Sequence, residues 1–133
     1  MLNNKSILIT GGTGSFGKAF VKRILKSYKK IKRLVIFSRD ELKQHEMSLE
    51  YPVSKYPAIR YFIGDIRDRN RLLRAFQDID IVIHAAALKQ VPTAEYNPME
   101  FIQTNVIGSQ NIIEASIEKK IKKVISLSSD KAA

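Results

Sequence analysis

The chain has 133 residues, which suits a single domain, and it contains no cysteine. Disulfides and thiolate metal sites are therefore excluded, and we predict no metal site. The formal net charge of +10 could indicate nucleic acid, a membrane surface or an anionic ligand. Because no helix-turn-helix, RNP-type aromatic motif or zinc spacing accompanies the charge, we expect solvated helix faces and no nucleic-acid partner.

The start of the chain lacks the pattern of a secretion signal or a membrane anchor. Residues Met1 to Lys5 are polar, and the apolar run Ile7–Ile9 is far too short for a signal core or a membrane span. We therefore expect a soluble, cytoplasmic protein with no membrane partner.

Short apolar runs alternate with longer amphipathic stretches along the chain. The runs predicted as strands are Ser6–Thr10, Leu34–Phe37, Arg60–Ile63, Ile81–His84 and Val124–Leu127. The predicted helical stretches are Phe16–Tyr28, Asp40–Glu50, Asp68–Phe76 and Glu95–Glu118. This alternation predicts an α/β fold, a Rossmann-type doubly wound parallel sheet of strand order 3-2-1-4-5. Since such a domain normally has a sixth strand, we expect residues 1–133 to be an incomplete NADP-binding domain, truncated after the fifth strand.

Three helices carry more detailed predictions. The apolar stripe of the first is expected to contain Phe16, Ala19, Phe20, Ile24 and Leu25. Asp68 is expected to cap the third helix, whose buried side would be Leu72, Leu73 and Phe76. The last stretch is long enough for two helices or for one with a kink, and Asn97-Pro98 suits a helix start.

A glycine-rich turn follows the first strand and opens the first helix. Gly11, Gly14 and Gly17 have the spacing G-x-x-G-x-x-G. We expect Gly11 to permit the tight turn, Gly14 to let the backbone approach a pyrophosphate, and Gly17 to let the helix pack closely. The helix start would then hold the phosphates, with hydrogen bonds donated by Thr13, Ser15 and Phe16. The segment lacks the Gly-Lys-Ser/Thr ending of a P-loop.

The end of the second strand bears on the choice of cofactor. An NAD site needs a carboxylate there for the ribose 2′-hydroxyl, whereas an NADP site needs a small polar group and a cation. Ser38 and Arg39 fit NADP, and Lys43 could add positive charge. Asp40 is ambiguous, because it could contact the ribose or cap the next helix. We predict NADP.

The ends of the third and fourth strands complete the predicted cofactor site. Asp65, followed by Ile66, could bond the adenine amino group or serve as a turn carboxylate. The small side chains of Ala85, Ala86 and Ala87 suit a place where cofactor crosses the sheet edge. His84 is interpreted as a packed strand residue rather than as a catalyst or a metal ligand.

Several segments together resemble the extended short-chain dehydrogenase/reductase superfamily, and within it the inverting UDP-N-acetylglucosamine 4,6-dehydratases of bacterial flagellin-glycan, capsule and O-antigen sugar synthesis. They are TGGTGSFG, SRDELKQ, YFIGDIRD, HAAALKQVPTAEYNPME and LSSDKA. The resemblance implies NADP(H), a UDP-sugar substrate and a homo-oligomer. It also implies a cofactor-site role for Asn105, which matches a helix-four asparagine, and a place next to the substrate for Lys89.

The resemblance further implies a catalytic pair, matched by Asp130 and Lys131, after the fifth strand. Lys131 would be the base that removes the C5 proton of the hexose, and Asp130 would assist loss of the C6 hydroxyl. From composition alone, a loop ion pair is the other interpretation. The family usually has threonine before this pair, whereas Ser129 stands here and keeps the hydroxyl.

The family's Tyr-x-x-x-Lys pair and its substrate lobe would lie beyond residue 133, so we expect this chain alone to be inactive. Two alternatives remain open. One is a UDP-sugar 4-epimerase or reductase, and the other is a non-catalytic NADP-binding or scaffold protein.

Overall fold

The structure is a computed structural model that describes residues 2–85 and 98–126, with side chains described for 2–85 and 108–126. These residues form five strands and four helices in alternation. In chain order they are β1 (Ser6–Thr10), α1 (Ser15–Ser27), β2 (Arg33–Ser38), α2 (Glu41–Glu50), β3 (Ile59–Ile63), α3 (Arg69–Ala75), β4 (Ile81–His84), α4 (Pro98–Glu118) and β5 (Lys123–Ser126).

The five strands form one sheet of order β3-β2-β1-β4-β5, and every neighbouring pair is parallel. The predicted Rossmann-type order is therefore confirmed. Thr10, at the end of β1, pairs with Phe37 of β2 and with His84 of β4. The carboxyl ends of the three central strands thus meet at one edge of the sheet, where doubly wound folds bind their ligands.

Alternate residues of each strand pack into two separate apolar layers, because successive side chains of a strand point to opposite faces. In β1, Ile7 and Ile9 pack with Val21 and Ile24 of α1. Leu8, between them, packs on the other face with Leu72 of α3 and with α4. Both faces of the central strands are therefore covered, as expected of strands whose central residues are all apolar.

The buried face of α1 differs from the predicted stripe. Gly17, Val21 and Ile24 are buried, whereas Phe16 is 41% exposed and Ala19 is exposed as well. Assigning Phe16 and Ala19 to the buried stripe was wrong. The predicted stripe also omitted Val21, which is fully buried, and Gly17, which a pattern of apolar side chains does not register.

The last helix is a single element, α4, that begins at Pro98 as predicted. Its C-terminal half buries Ile112 and Ala115 in the layer that also contains Leu72. Among the described helices, none combines the length and the apolar character needed to cross a bilayer.

Candidate functional site

The glycine turn between β1 and α1 has the geometry of a tight, closely packed loop. Gly11 has a φ of 68°, in the left-handed region that favours glycine, and its N–H donates to the carbonyl of Phe37 at 2.9 Å. A Cβ on Gly17 would lie 2.5 Å from backbone atoms of Gly12, so α1 can pack this closely only with glycine there. Among the described residues, a Cβ on Gly14 would meet only the Gly11 carbonyl oxygen, at 3.4 Å.

Gly12 is a turn residue to which the sequence analysis assigned no role. A Cβ there would lie 2.7 Å from Cγ2 of Ile36 and 3.1 Å from that of Ile9. The turn therefore lies directly on the side chains of β1 and β2. The signal available in the sequence was that Gly12 directly follows Gly11. The G-x-x-G-x-x-G spacing, however, treats position 12 as open to any residue.

Among the described residues, no side chain caps the start of α1, whereas the next two helices each have a side-chain cap. Asp40 accepts from the N–H of Lys43 at 3.0 Å at the start of α2, and Asp68 accepts from the N–H of Arg71 at 3.1 Å at the start of α3. Gly14 occupies the equivalent position of α1, and no side chain of the described residues caps that helix or places an acid in its first turn. Because the first amides of a helix have no partner within it, this end of α1 suits an anion.

The end of β2 is fixed by a buried glutamine that the sequence analysis did not single out. Gln44 of α2 is 4% exposed, and its Nε2 lies 2.9 Å from Ser38 Oγ and 3.0 Å from the carbonyl oxygen of Phe62. Ser38 is itself 8% exposed. The predicted 2′-phosphate contact of Ser38 stays a prediction, but its hydroxyl already has one fixed partner.

Arg39, Asp40 and Lys43 follow β2, and each has a different role in the structure. Asp40 caps α2, which is one of the two roles considered for it. The side chain of Arg39 is 49% exposed, and its Nη1 lies 3.6 Å from Oδ2 of Asp65 at the end of β3. Lys43 is exposed in the first turn of α2. The structure thus places two cations, Arg39 and Lys43, near the end of β2, together with the exposed carboxylate of Glu41 in the first turn of α2.

Asp65 is a turn carboxylate with two arginine neighbours. Its carboxylate accepts from the backbone N–H of Arg67 at 2.9 Å and from that side chain at 2.8 Å. Burial by itself would raise the pKa of Asp65, but the hydrogen bonds from Arg67 and the charges of Arg67 and Arg39 outweigh it, so the pKa is lowered. The turn interpretation is confirmed by these bonds, and an adenine contact stays a prediction.

The loop after β3 is tied to α4 by a second residue that the sequence analysis missed. Asn111 donates from Nδ2 to the carbonyl oxygens of Ile66 and Arg67, both at 3.0 Å. Ile66 is buried, and a Cβ on Gly108 of α4 would lie 2.4 Å from its Cδ1. Ile66 therefore packs into the core and anchors the loop that presents Asp65.

His84 is a buried strand residue, as interpreted from the sequence. It is 2% exposed, its Nδ1 lies 2.8 Å from Thr10 Oγ1, and its Nε2 lies 3.4 Å from Ser109 Oγ of α4. Burial lowers the pKa of His84 to about 4, so the imidazole is neutral at pH 7. Ala85, the next residue, is buried at 6% exposure beside this edge of the sheet.

Six predicted site residues fall partly or wholly outside the described part of the chain. Asn105 lies on α4, but its side chain is not described. The remaining five lie outside the described residues altogether and are Ala86, Ala87, Lys89, Asp130 and Lys131.

Comparison with known proteins identifies relatives over nearly the whole chain. Residues 7–133 match the family described as polysaccharide biosynthesis protein. The chain is 59% identical over 132 residues to an inverting UDP-N-acetylglucosamine 4,6-dehydratase of Campylobacter jejuni, and 51% identical over 134 residues to a UDP-glucose 4-epimerase of Rickettsia bellii. Each match covers 99% of this chain and 38% of the relative, so the chain spans well under half the length of these proteins.

Solved structures share the fold. Pen from Bacillus thuringiensis superposes with a TM-score of 0.87 at 42% identity, over 95% of this chain and 38% of that one. DesIV, a dTDP-glucose 4,6-dehydratase from Streptomyces venezuelae with NAD bound, superposes with a TM-score of 0.75 at 26% identity, over 90% of this chain and 38% of that one. The relatives therefore include both dehydratases and epimerases of nucleotide sugars.

Proposed function

This chain belongs to the polysaccharide biosynthesis protein family, and from that premise we propose that it is the cofactor-binding part of an NADP-dependent UDP-N-acetylglucosamine 4,6-dehydratase that inverts C5. The observation that carries the cofactor proposal is the start of α1, where Gly14 leaves the helix amides without a side-chain cap. The pyrophosphate would lie against the amides of Ser15, Phe16 and Gly17, with Thr13 beside them.

The preference for NADP is supported by the residues at the end of β2. Asp40 accepts from the N–H of Lys43, so this carboxylate is already engaged in capping. Arg39 is half exposed, and its planar guanidinium suits both a phosphate and an adenine face. Ser38, Arg39 and Lys43 would together hold the 2′-phosphate. Asp65 and Ile66 would lie beside the adenine.

The proposed chemistry removes water across C5 and C6 of the sugar. When bound, the nicotinamide supplies the removal of a hydride from C4 and its later return at C6, and the cofactor ends unchanged. A C4 ketone makes the C5 hydrogen acidic. Lys131, neutral at that moment, would take the C5 proton, and Asp130 would help the C6 hydroxyl to leave as water. Inversion follows if the proton returns to C5 on the opposite face.

Further parts of the proposal rest on the family. Ala85, Ala86, Ala87 and Asn105 would lie along the nicotinamide half of the cofactor, and Lys89 would contact the UDP-sugar. We propose a homo-oligomer in the cytoplasm, with a role in bacterial surface or flagellin sugar synthesis.

The cofactor preference can be tested with the protein at its full encoded length. NADP and NAD dissociation constants are measured for the wild type and for Arg39→Ala. We expect the wild type to prefer NADP, and Arg39→Ala to lose about tenfold or more of that preference, the value of a charge-assisted hydrogen bond to phosphate. Equal affinities in the wild type would refute the NADP assignment.

A second candidate, the UDP-sugar 4-epimerase, is favoured by the 51% identity to the epimerase of Rickettsia bellii. The two reactions differ at C5, which only the dehydratase deprotonates. Incubation with UDP-N-acetylglucosamine in deuterium oxide should give a 4-keto-6-deoxy product with deuterium at C5, and Lys131→Ala should abolish it. A C4 epimer without deuterium at C5 would support the epimerase, and no turnover with intact cofactor binding would support a non-catalytic protein.

A further inference from the structure

The amide of Gln44 lies between four oxygen atoms at the carboxyl ends of β2 and β3. Its Nε2 is 2.9 Å from Ser38 Oγ, and the carbonyl oxygens of Phe62, Ser38 and Ile36 lie at 3.0, 3.2 and 3.4 Å. Carbonyl oxygens can only accept, so the atom facing them must be the nitrogen of the side-chain amide. The Gln44 side chain is thus a buried donor, held by backbone atoms of two strands.

This arrangement sets the direction of the hydrogen bond at Ser38. Because the amide nitrogen donates, the Ser38 oxygen must accept. A serine hydroxyl has one hydrogen and two lone pairs, so its hydrogen remains for another partner. Since the amide fixes one lone pair, it also restricts the directions in which that hydrogen can point.

Arg39 follows Ser38 directly, so the amide of Gln44 fixes the backbone from which the arginine extends. The carbonyl of Ser38 also accepts from the N–H of Gly64 at 2.9 Å. The end of β2 is therefore held from α2 and from the residue that follows β3. A group that recognises a phosphate next to Ser38 and Arg39 would be presented on a rigid support.

We propose that Gln44 is a positioning residue that sets the preference for NADP, by keeping the Ser38 hydroxyl as a donor to the 2′-phosphate. The inference rests on the proposed function, because it assumes that the 2′-phosphate lies at the end of β2. NADP and NAD differ only in that phosphate. If Gln44 were merely structural, its loss would lower the affinities for both cofactors by the same factor. If it positions Ser38, its loss should lower the affinity for NADP more than the affinity for NAD.

The test compares NADP and NAD dissociation constants for the protein at its full encoded length. Gln44→Met keeps the length of the side chain without its donor, and Ser38→Ala removes the hydroxyl. We expect the NADP preference to fall about fivefold in Gln44→Met and about tenfold in Ser38→Ala. The double variant should lose no more than Ser38→Ala alone, because both changes act through one hydrogen bond.

Ser48→Ala is the matched control. It removes a hydrogen bond within the same helix, from Ser48 Oγ to the carbonyl of His45 at 2.6 Å. Its preference should equal that of the wild type.

The outcomes separate this inference from the proposed function. A wild type without NADP preference refutes the proposed cofactor, and this inference with it. A wild type that prefers NADP, with the same preference in Gln44→Met, refutes the role of Gln44 alone. If Gln44→Met does not fold, Ser38→Ala is the deciding variant. An unchanged preference for NADP in Ser38→Ala would show that the hydroxyl does not contact the 2′-phosphate, and this would refute the role of Gln44 in positioning it.

Discussion

Gly12 and Gly17 lie in direct backbone contact: a Cβ on Gly17 would come within 2.5 Å of the Cα, carbonyl carbon and oxygen of Gly12. A Cβ essentially never lies that close to backbone, so any larger residue at 17 must move α1 or the turn. Gly14 has no such close neighbour among the described residues, and its φ of −75° is open to other residues. Packing therefore requires glycine at position 17, whereas at position 14 only the proposed pyrophosphate would exclude a side chain.

Alanine substitutions at these two glycines should therefore separate folding from binding. We expect Gly17→Ala to destabilise the protein by about 1–3 kcal/mol through overpacking. We also expect it to lower the affinity for the cofactor. Gly14→Ala should leave the urea midpoint nearly unchanged. It should still lower the affinities for NADP and NAD by the same factor, because its Cβ would occupy the approach to the pyrophosphate. Full cofactor affinity in Gly14→Ala would place the pyrophosphate elsewhere.

Asn111 and Ser116 offer a second matched pair, both on the buried side of α4. Asn111→Ala leaves the carbonyls of Ile66 and Arg67 without their donor, so we expect a loss of about 1–3 kcal/mol in the free energy of unfolding. Ser116 Oγ is buried and, among the described residues, has no hydrogen-bond partner. Ser116→Ala should be neutral or stabilising in the same urea titration. Equal losses in both variants would contradict the role of Asn111.

The burial of His84 predicts a pH dependence of stability. Its folded pKa is about 4, lower than the ordinary value of about 6.5, so the unfolded chain takes up a proton first as the pH falls. The contribution of His84 should therefore be complete above pH 6.5 and decline towards pH 4, by at most about 3 kcal/mol. Asparagine cannot titrate, so in His84→Asn the urea midpoint should change less with pH between 6.5 and 4 than in the wild type. If the urea midpoints of the wild type and of His84→Asn changed equally with pH, the proposed contribution of His84 would be contradicted.

Asp65 predicts a loss of stability at lower pH. Although burial by itself opposes ionisation, the bonds and charges of Arg67 and Arg39 lower its folded pKa. Its stabilising contribution is present above the unfolded value of about 3.9 and disappears as the pH falls through the folded pKa. Asp65→Asn should therefore be less stable than the wild type at pH 7, and the difference should shrink by pH 3. A difference that stays constant would rule out this ionic contribution.

The sheet was predicted well from the sequence, because the central residues of β1, β2 and β4 are apolar and the strand order follows the doubly wound pattern. The start of α4 at Pro98 and the cap of α3 by Asp68 were also predicted correctly, from the preferences of proline and aspartate for helix starts. The buried face of α1 was mispredicted because the stripe included Phe16 and Ala19 in place of Val21 and Gly17, and Gly17 has no side chain to count. The glycine turn was recognised from its spacing, but the contact with Gly12 depends on how α1 packs.

The two buried amides show a further limit of pattern reading. Gln44 lies three residues before Met47 on the buried side of α2, and Asn111 lies four before Ala115 on that of α4. A polar residue on an otherwise apolar face was the available signal in both cases. Gln44 contacts Ser38 on the preceding strand and Phe62 on the next one, and Asn111 contacts carbonyls more than forty residues away, so the pattern of one helix could not name these partners.

With the proposed cofactor, the N-terminus of α1, where Gly14 offers no side chain to cap the helix, would link the lifetime of the protein to its metabolic surroundings. A dinucleotide that binds only the folded chain adds about 1.4 kcal/mol of stability for each tenfold rise in its concentration above the dissociation constant. Cells with little of this cofactor would then hold a larger fraction of unfolded chain, which is the form that proteases degrade.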